Sequence, residues 1–269
     1  MNAFQKDLEK TAVSAAKAAA KILLKYHHER NFTVSYKGDV NLVTTADIES
    51  EKCVIETIRK AFPTHAILSE ENKSSHEGSL EGPVWVIDPL DGTTNFSHGF
   101  PLFSVSIAFR ENNKTIFGLT YLPVLDEMFI AHAGHGATLN GKKISVSKMD
   151  NINQSLLSTG FAYDRRESPI NNLKEFCIME MNCQDMRRSG AATVDLAYVA
   201  CGKFEGYWEY KLAAWDVAAG ELLVQEAGGK VTDFRSKAIT NLWNGETLAS
   251  NGLIHDSMLD LLQDAKKFT

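Results

Sequence analysis

Asp88 and Asp91 stand three residues apart in the run Trp85-Val86-Ile87-Asp88-Pro89-Leu90-Asp91-Gly92-Thr93-Thr94-Asn95-Phe96. Carboxylates are the ligands that hard divalent cations take. Gly92, Thr93 and Thr94 add backbone N–H groups and hydroxyls, the donors that phosphate takes at a turn or a helix start. One loop thus carries the means to hold a cation and a phosphate together. A plainer reading of the same residues is an Asp-rich turn with capping hydroxyls. Glu70 and Asp216 sit in a similar setting. Glu70 follows the apolar run 66–69, and Asp216 stands before an apolar stretch that starts at Val217. Four carboxylates brought together would repel, and one would be forced to take a proton. Two divalent cations roughly 3.5–4 Å apart remove that repulsion and clamp the attacking and leaving oxygens of a displacement at phosphorus. Carboxylates completed by water and phosphate oxygens make a magnesium-type ligand set. Convergence of the four acids is not written in one dimension. Taken singly, Asp216 and Asp47 also read as helix caps, Glu70 as an exposed strand end, Glu209 as a solvent-facing strand residue and Lys37 as a solvated lysine.

The elements that must position these residues follow from periodicity. Residues 84–87 are β-branched or aromatic, as a core strand needs, and Pro89 should end its pairing at Asp88. Residues 3–24 read as a helix, residues 36–39 as a turn, and Thr44 to Asp47 has the spacing of a capping box. The helix it opens should run to about Phe62, with Pro63 as its stop. Residues 72–83 read as a polar surface loop. Residues 104–109, 115–121 and 127–133 alternate as antiparallel strands, and Asn140-Gly141 marks a hairpin turn. Further on, 156–160 reads as a strand and 170–181 as a helix. A nearly all-apolar helix ends near Cys201, and 207–210 is a strand. A buried helix covers 217–227, closed by Gly228-Gly229. Residues 231–233 and 247–250 are late strands, and 255–266 a last helix. Helix pairs, antiparallel strands and parallel crossovers mixed in this way indicate layered α and β structure.

Composition removes several classes of function. The chain has 269 residues, enough for one sizeable core or two tightly joined lobes, and a net charge of −6. No basic face for nucleic acid is evident, and no apolar run approaches a membrane span. Asp7, Glu9 and Lys10 stand where a secretion signal would be apolar, which points to the cytoplasm. The 4 cysteines, Cys53, Cys177, Cys183 and Cys201, form no C-x-x-C pair and read as reduced thiols. His132 and His135 read as surface or packing residues rather than ligands.

Two stretches together resemble the signatures of the inositol monophosphatase family. The first is Ile87, Asp88-Pro89, Leu90, Asp91-Gly92-Thr93 and Phe96; the second is Trp215-Asp216-Val217-Ala218-Ala219-Gly220. Leu42 to Asp47, Ser69-Glu70-Glu71, Arg188-Ser189-Gly190 and Glu226-Ala227-Gly228-Gly229 are similar as well, so the likeness spans nearly the whole chain. It implies an α+β fold, a layered α/β/α/β/α sandwich of the inositol monophosphatase and fructose-bisphosphatase type. One enzyme domain would cover 1–269, with a metal and phosphate lobe over about 1–145 and a substrate-specificity lobe over about 146–269. It further implies magnesium-dependent, lithium-sensitive hydrolysis of phosphate monoesters, two or three Mg2+ per site, and a homodimer. Carried over residue by residue, Glu70, Asp88, the Leu90 carbonyl, Asp91 and Asp216 bind metal. Glu70, Thr93 and Asp88 are catalytic, with Thr93 and Glu70 orienting the attacking water, and Gly92 and Thr93 hold phosphate. Glu209, Gly190, Ala191 and Ala192 meet the substrate, while Asp47 and Lys37 support the site. Trp208, Tyr210, Lys211 and Phe161 should wall the substrate end, and Arg187 and Arg188 either meet an anionic part of the substrate or face solvent or a partner copy. The chain departs from animal relatives in carrying Ala213 where they have histidine, which loosens the expectation of a strict inositol substrate. Inositol 1-phosphate is the first candidate. Histidinol phosphate, fructose 1,6-bisphosphate and 3′-phosphoadenosine 5′-phosphate are alternatives, and a regulatory protein that keeps the fold is a reading from another class.

Overall fold

The computed structural model describes residues 1–36, 42–71, 82–238 and 245–265. Helix α1 (Ala3–Glu29) is opened by a reciprocal Asn2–Gln5 capping box and closed at Arg30, which takes the left-handed conformation. It runs past the expected end at residue 24 because the periodic stripe is followed by helix-compatible residues up to that cap. Strands β1 (Val34–Tyr36) and β2 (Leu42–Thr44) form a small antiparallel ribbon leading into α2 (Thr45–Ala61). The foreseen Thr44–Asp47 capping box is present. The expected turn after Tyr36 and nearly all of the 72–83 loop lie outside the described residues.

Next come β3 (Ala66–Ser69), β4 (Val84–Asp91), the short α3 (Thr93–His98), β5 (Ser104–Glu111), β6 (Lys114–Leu122), β7 (Glu127–His132), β8 (Gly136–Leu139) and β9 (Lys142–Lys143). These strands form a seven-stranded sheet in sequential order, parallel between β3 and β4 and antiparallel from there on. Both faces of β4 are covered, which is why its sequence reads as a continuous apolar run. Trp85 and Ile87 join the core under α1 and α2, while Val84 and Val86 join the core on the opposite face.

The second half supplies β10 (Leu156–Thr159), α4 (Leu173–Glu180), β11 (Asp185–Arg187), α5 (Ala192–Ala200), β12 (Gly206–Tyr210), α6 (Ala214–Glu226), β13 (Lys230–Thr232), β14 (Glu246–Ser250) and α7 (His255–Ala265). Its five strands lie in the order β11-β10-β12-β14-β13. Helices α5 and α6 fill the space between the two sheets, and α4 and α7 cover the far face of the smaller one. The layers are therefore α/β/α/β/α, as the resemblance implied.

Two local readings are corrected. Pairing does not stop at Asp88. Asp88 faces Ser106 and Asp91 faces Ser104, so Pro89 and Leu90 together oppose Val105 alone. This is a β-bulge, and it absorbs the missing proline N–H without ending the strand. Helix α6 begins at Ala214, so Asp216 lies inside its first turn rather than ahead of it.

Candidate active site

The bulge in β4 decides where the acids point. In a regular strand, residues three apart face opposite sides. The extra residue brings Asp88 and Asp91 to one side, the side of Val86 and of α5 and α6. Glu70 follows β3, the parallel neighbour of β4, so it emerges at the same end of the sheet. The end of β3 is pinned to α2, because Ser69 donates its hydroxyl to Glu51 Oε1 at 2.5 Å and the Glu71 N–H donates to the same oxygen at 3.2 Å. The first turn of α6 delivers Asp216, whose Oδ2 accepts the Ala213 N–H at 2.7 Å. Its capping and site readings therefore coexist, one oxygen serving the helix.

The acids that were separate in sequence share one electrostatic field. Burial pushes the Asp88 carboxyl well above the usual carboxylate range, and the charges of Glu70, Asp91 and Asp216 push it further. Asp216 is raised in the same way, by burial and then by Asp91 and Glu70. Asp91 is raised by burial, against the pull of hydrogen bonds from Thr193. Among the described residues, no lysine or arginine forms an ion pair with Asp88, Asp91 or Asp216. Nor does any group of three acid, histidine or cysteine side chains stand arranged as a finished cation site. Their oxygens turn instead to backbone donors. Asp88 Oδ1 accepts the Leu90 N–H at 3.0 Å, and Asp91 Oδ2 accepts the Thr193 N–H at 2.7 Å. Buried, mutually repelling carboxylates that form no ion pair with a lysine or arginine among the described residues fit a divalent cation in their chemistry.

Both oxygens of Asp47 are engaged within the chain. Its Oδ2 accepts the Thr44 N–H and hydroxyl at 2.8 and 2.6 Å, and its Oδ1 lies 3.1 Å from Thr93 Oγ1. Burial raises its pKa to about 6. Thr93 Oγ1 also lies 3.0 Å from the Leu90 carbonyl, so its hydroxyl is held between α2 and the β4 bulge. Gly92 takes a positive φ as the residue that leads into α3, whose first N–H is that of Thr93. Lys37 lies outside the described residues.

A cavity of about 160 Å³ joins the acids to the substrate wall. Its lining includes Asp91 and Asp216 together with Gly190, Ala191, Ala192 and Glu209. Tyr207 donates its hydroxyl to Glu209 Oε2 at 2.6 Å, and burial raises Glu209 to about 7. Gly160, just after β10, leaves room for this carboxyl group: a Cβ there would overlap the Glu209 carboxyl and require it to move. Gly190 takes a positive φ beside Asn95, whose amide donates to the Ser189 and Leu102 carbonyls at 2.7 Å each. Asn95 thereby ties α3 to the substrate wall.

Phe161, Tyr210 and Lys211 line the cavity as expected, but Trp208 does not. Alternation along β12 turns it to the outer core, where its indole N–H donates to Asn172 Oδ1 at 2.6 Å. The arginine pair divides. Arg187 is taken up by Asp185 at 2.7 Å, and Arg188 lines the cavity. Tyr163, Thr193, Ser104 and Asp195 were missed. Asp195 carried a signal, since it is the only charged residue of the apolar helix α5. A carboxylate there must be paired or functional. It is 1% exposed, its Oδ1 has no hydrogen-bond partner among the described residues, and it lines the cavity.

Residues 5–267 match the inositol monophosphatase family. An inositol-1-monophosphatase of Synechocystis is 44% identical over 82% of this chain and 77% of its own length. The Nus factor SuhB of Escherichia coli is 40% identical over 95% of this chain and 97% of its own. The inositol monophosphatase structure from Anabaena superposes with a TM-score of 0.87 at 43% identity, covering 98% of this chain and 97% of that one. A match of this length and kind shows that the chain belongs to the inositol monophosphatase family, the phosphoric monoester hydrolases.

Proposed function

We propose that the protein hydrolyses a small polyol phosphate with magnesium, inositol 1-phosphate being the first substrate to test, and that it works as a cytoplasmic homodimer. The observation that carries this reading is the shared field of Glu70, Asp88, Asp91 and Asp216, with Asp91 and Asp216 opening into the same cavity as Glu209. In this reading Glu70, Asp88, the Leu90 carbonyl, Asp91 and Asp216 hold two or three Mg2+. Bound there, the cations supply Lewis-acid polarisation of phosphoryl oxygens and acidification of water.

The remaining steps belong to the chain. Gly92 and Thr93 present N–H groups to the phosphate as α3 begins. Thr93 Oγ1, fixed by Asp47 and the Leu90 carbonyl, orients the attacking water together with Glu70. Glu209 accepts a hydroxyl of the polyol while Tyr207 holds its other side. The Gly190 to Ala192 segment brings backbone close to the ring. Orientation of this kind removes much of the entropic part of the barrier.

The E. coli relative's name, Nus factor, supports a second reading as a regulatory protein with the same fold. Intact acids at all four positions favour the enzyme. Phosphate release from inositol 1-phosphate, histidinol phosphate, fructose 1,6-bisphosphate and 3′-phosphoadenosine 5′-phosphate, with magnesium and with or without lithium, decides between them. The proposal expects magnesium-dependent turnover that lithium depresses, fastest with inositol 1-phosphate. Absence of turnover on every substrate would overturn it in favour of the regulatory reading.

A further inference from the structure

Asp91 is held by a relay that the reaction scheme does not use. Its Oδ2 accepts two hydrogen bonds from one residue, the Thr193 N–H at 2.7 Å and the Thr193 hydroxyl at 2.6 Å. The Thr193 Oγ1 lies 2.5 Å from Ser104 Oγ. With the threonine proton given to the carboxylate, the proton between the two hydroxyls must come from Ser104. Ser104 is also the cross-strand partner of Asp91 in the β4–β5 ladder. Three elements, β4, β5 and α5, therefore meet at one carboxylate oxygen. Thr193 and Ser104 are fully buried, so water does not compete for these bonds.

We infer that Thr193, backed by Ser104, is a positioning residue that sets the affinity of the site for divalent cations by locking the Asp91 carboxylate. With Oδ2 taking both Thr193 donors, rotation about the Cβ–Cγ bond is opposed, and the carboxylate is held in one orientation at the cavity wall. Partners of this kind orient metal-ligating side chains, and their loss costs about 10–100-fold in metal affinity or activity. The relay also starts at the segment that forms the substrate wall, since Ala191 and Ala192 immediately precede Thr193 and line the cavity. This inference rests on the reading of Asp91 as a cation ligand.

Calorimetric titration of the metal-free protein with Mn2+ tests it without reference to turnover. Thr193→Val keeps the shape, the β-branch and the backbone N–H while removing the hydroxyl. It should weaken Mn2+ binding by about 10-fold or more, and Thr193→Ser should restore wild-type affinity to within about 3-fold. Ser104→Ala should weaken binding by a smaller factor, and it stands as the second variant where Thr193→Val fails to fold. A purely structural role would lower the melting temperature of Thr193→Val and leave its Mn2+ affinity unchanged, and that result overturns the inference. So does wild-type affinity in a Ser104→Ala protein when Thr193→Val is unfolded. Asp91→Asn separates the two levels of the argument: wild-type Mn2+ affinity in that variant would sink the ligand reading itself.

Discussion

Glu209 shows how much a single side chain's surroundings decide. Its neighbours Tyr207, Asp91 and Arg188 act on it, yet burial dominates and raises its pKa to about 7. A carboxylate in that setting is a strong acceptor for a polyol hydroxyl and has no role for a substrate without one. Glu209→Gln should therefore raise KM for inositol 1-phosphate about 10-fold while leaving kcat within about 3-fold. Hydrolysis of an aryl phosphate should not change. An equal loss on both substrates would show that Glu209 serves the chemistry or the fold instead. At this scale the acids themselves were legible, because Asp88, Asp91 and Asp216 sit where apolar runs meet turns. Their partners were not. Thr193 reaches Asp91 across 102 positions of the chain, and nothing local at residue 193 marks that contact.

Among the elements, those buried on a defined face were readable and those defined by a neighbour were not. The run 84–87 is a core strand on its own evidence. Strand β11 is three residues long, and its ladder exists because β10 lies beside it. The expectation that Pro89 would end β4 failed for an instructive reason. Proline lacks the N–H that a ladder bond would take, but a bulge can place its nitrogen where no ladder bond is needed. Here the bulge is also what turns both aspartates to one side. The start of α6 was misplaced because Ala213 and Ala214 offer no capping side chain; the carboxylate three residues into the turn caps the backbone instead. Trp208 was placed on the wrong face of β12 because its apolar bulk suggested a pocket wall, whereas period-two alternation with Tyr207 and Glu209 sends it to the outer core.

For the molecule as a whole, the accumulated buried acids make stability depend on pH and on cations. Asp47 is raised to about 6 and Glu209 to about 7, and Asp88, Asp91 and Asp216 are raised as well. An acid whose folded pKa exceeds its unfolded value binds more protons when folded. Its contribution is present below the unfolded value, near 4, and is lost as pH rises through the folded value. The metal-free protein should thus melt at least about 5 °C lower at pH 8 than at pH 5.5, and millimolar Mg2+ should remove most of that difference. A melting temperature that is flat across this range without metal would contradict the raised values. We read residues 1–269 as one domain, since α5 and α6 come from the second half and pack into a core shared with the first sheet.

The central claim is that the carboxylates around β4 work together as the ligands of phosphate ester hydrolysis. Asp88 tests it most directly, being 1% exposed and pressed by Glu70, Asp91 and Asp216 at once. Asp88→Asn removes one charge from a crowded set, so the metal-free fold should be at least as stable as wild type. Magnesium-dependent phosphate release from inositol 1-phosphate should fall at least about 100-fold in the same protein. Release at the wild-type rate by a folded Asp88→Asn variant would contradict the account.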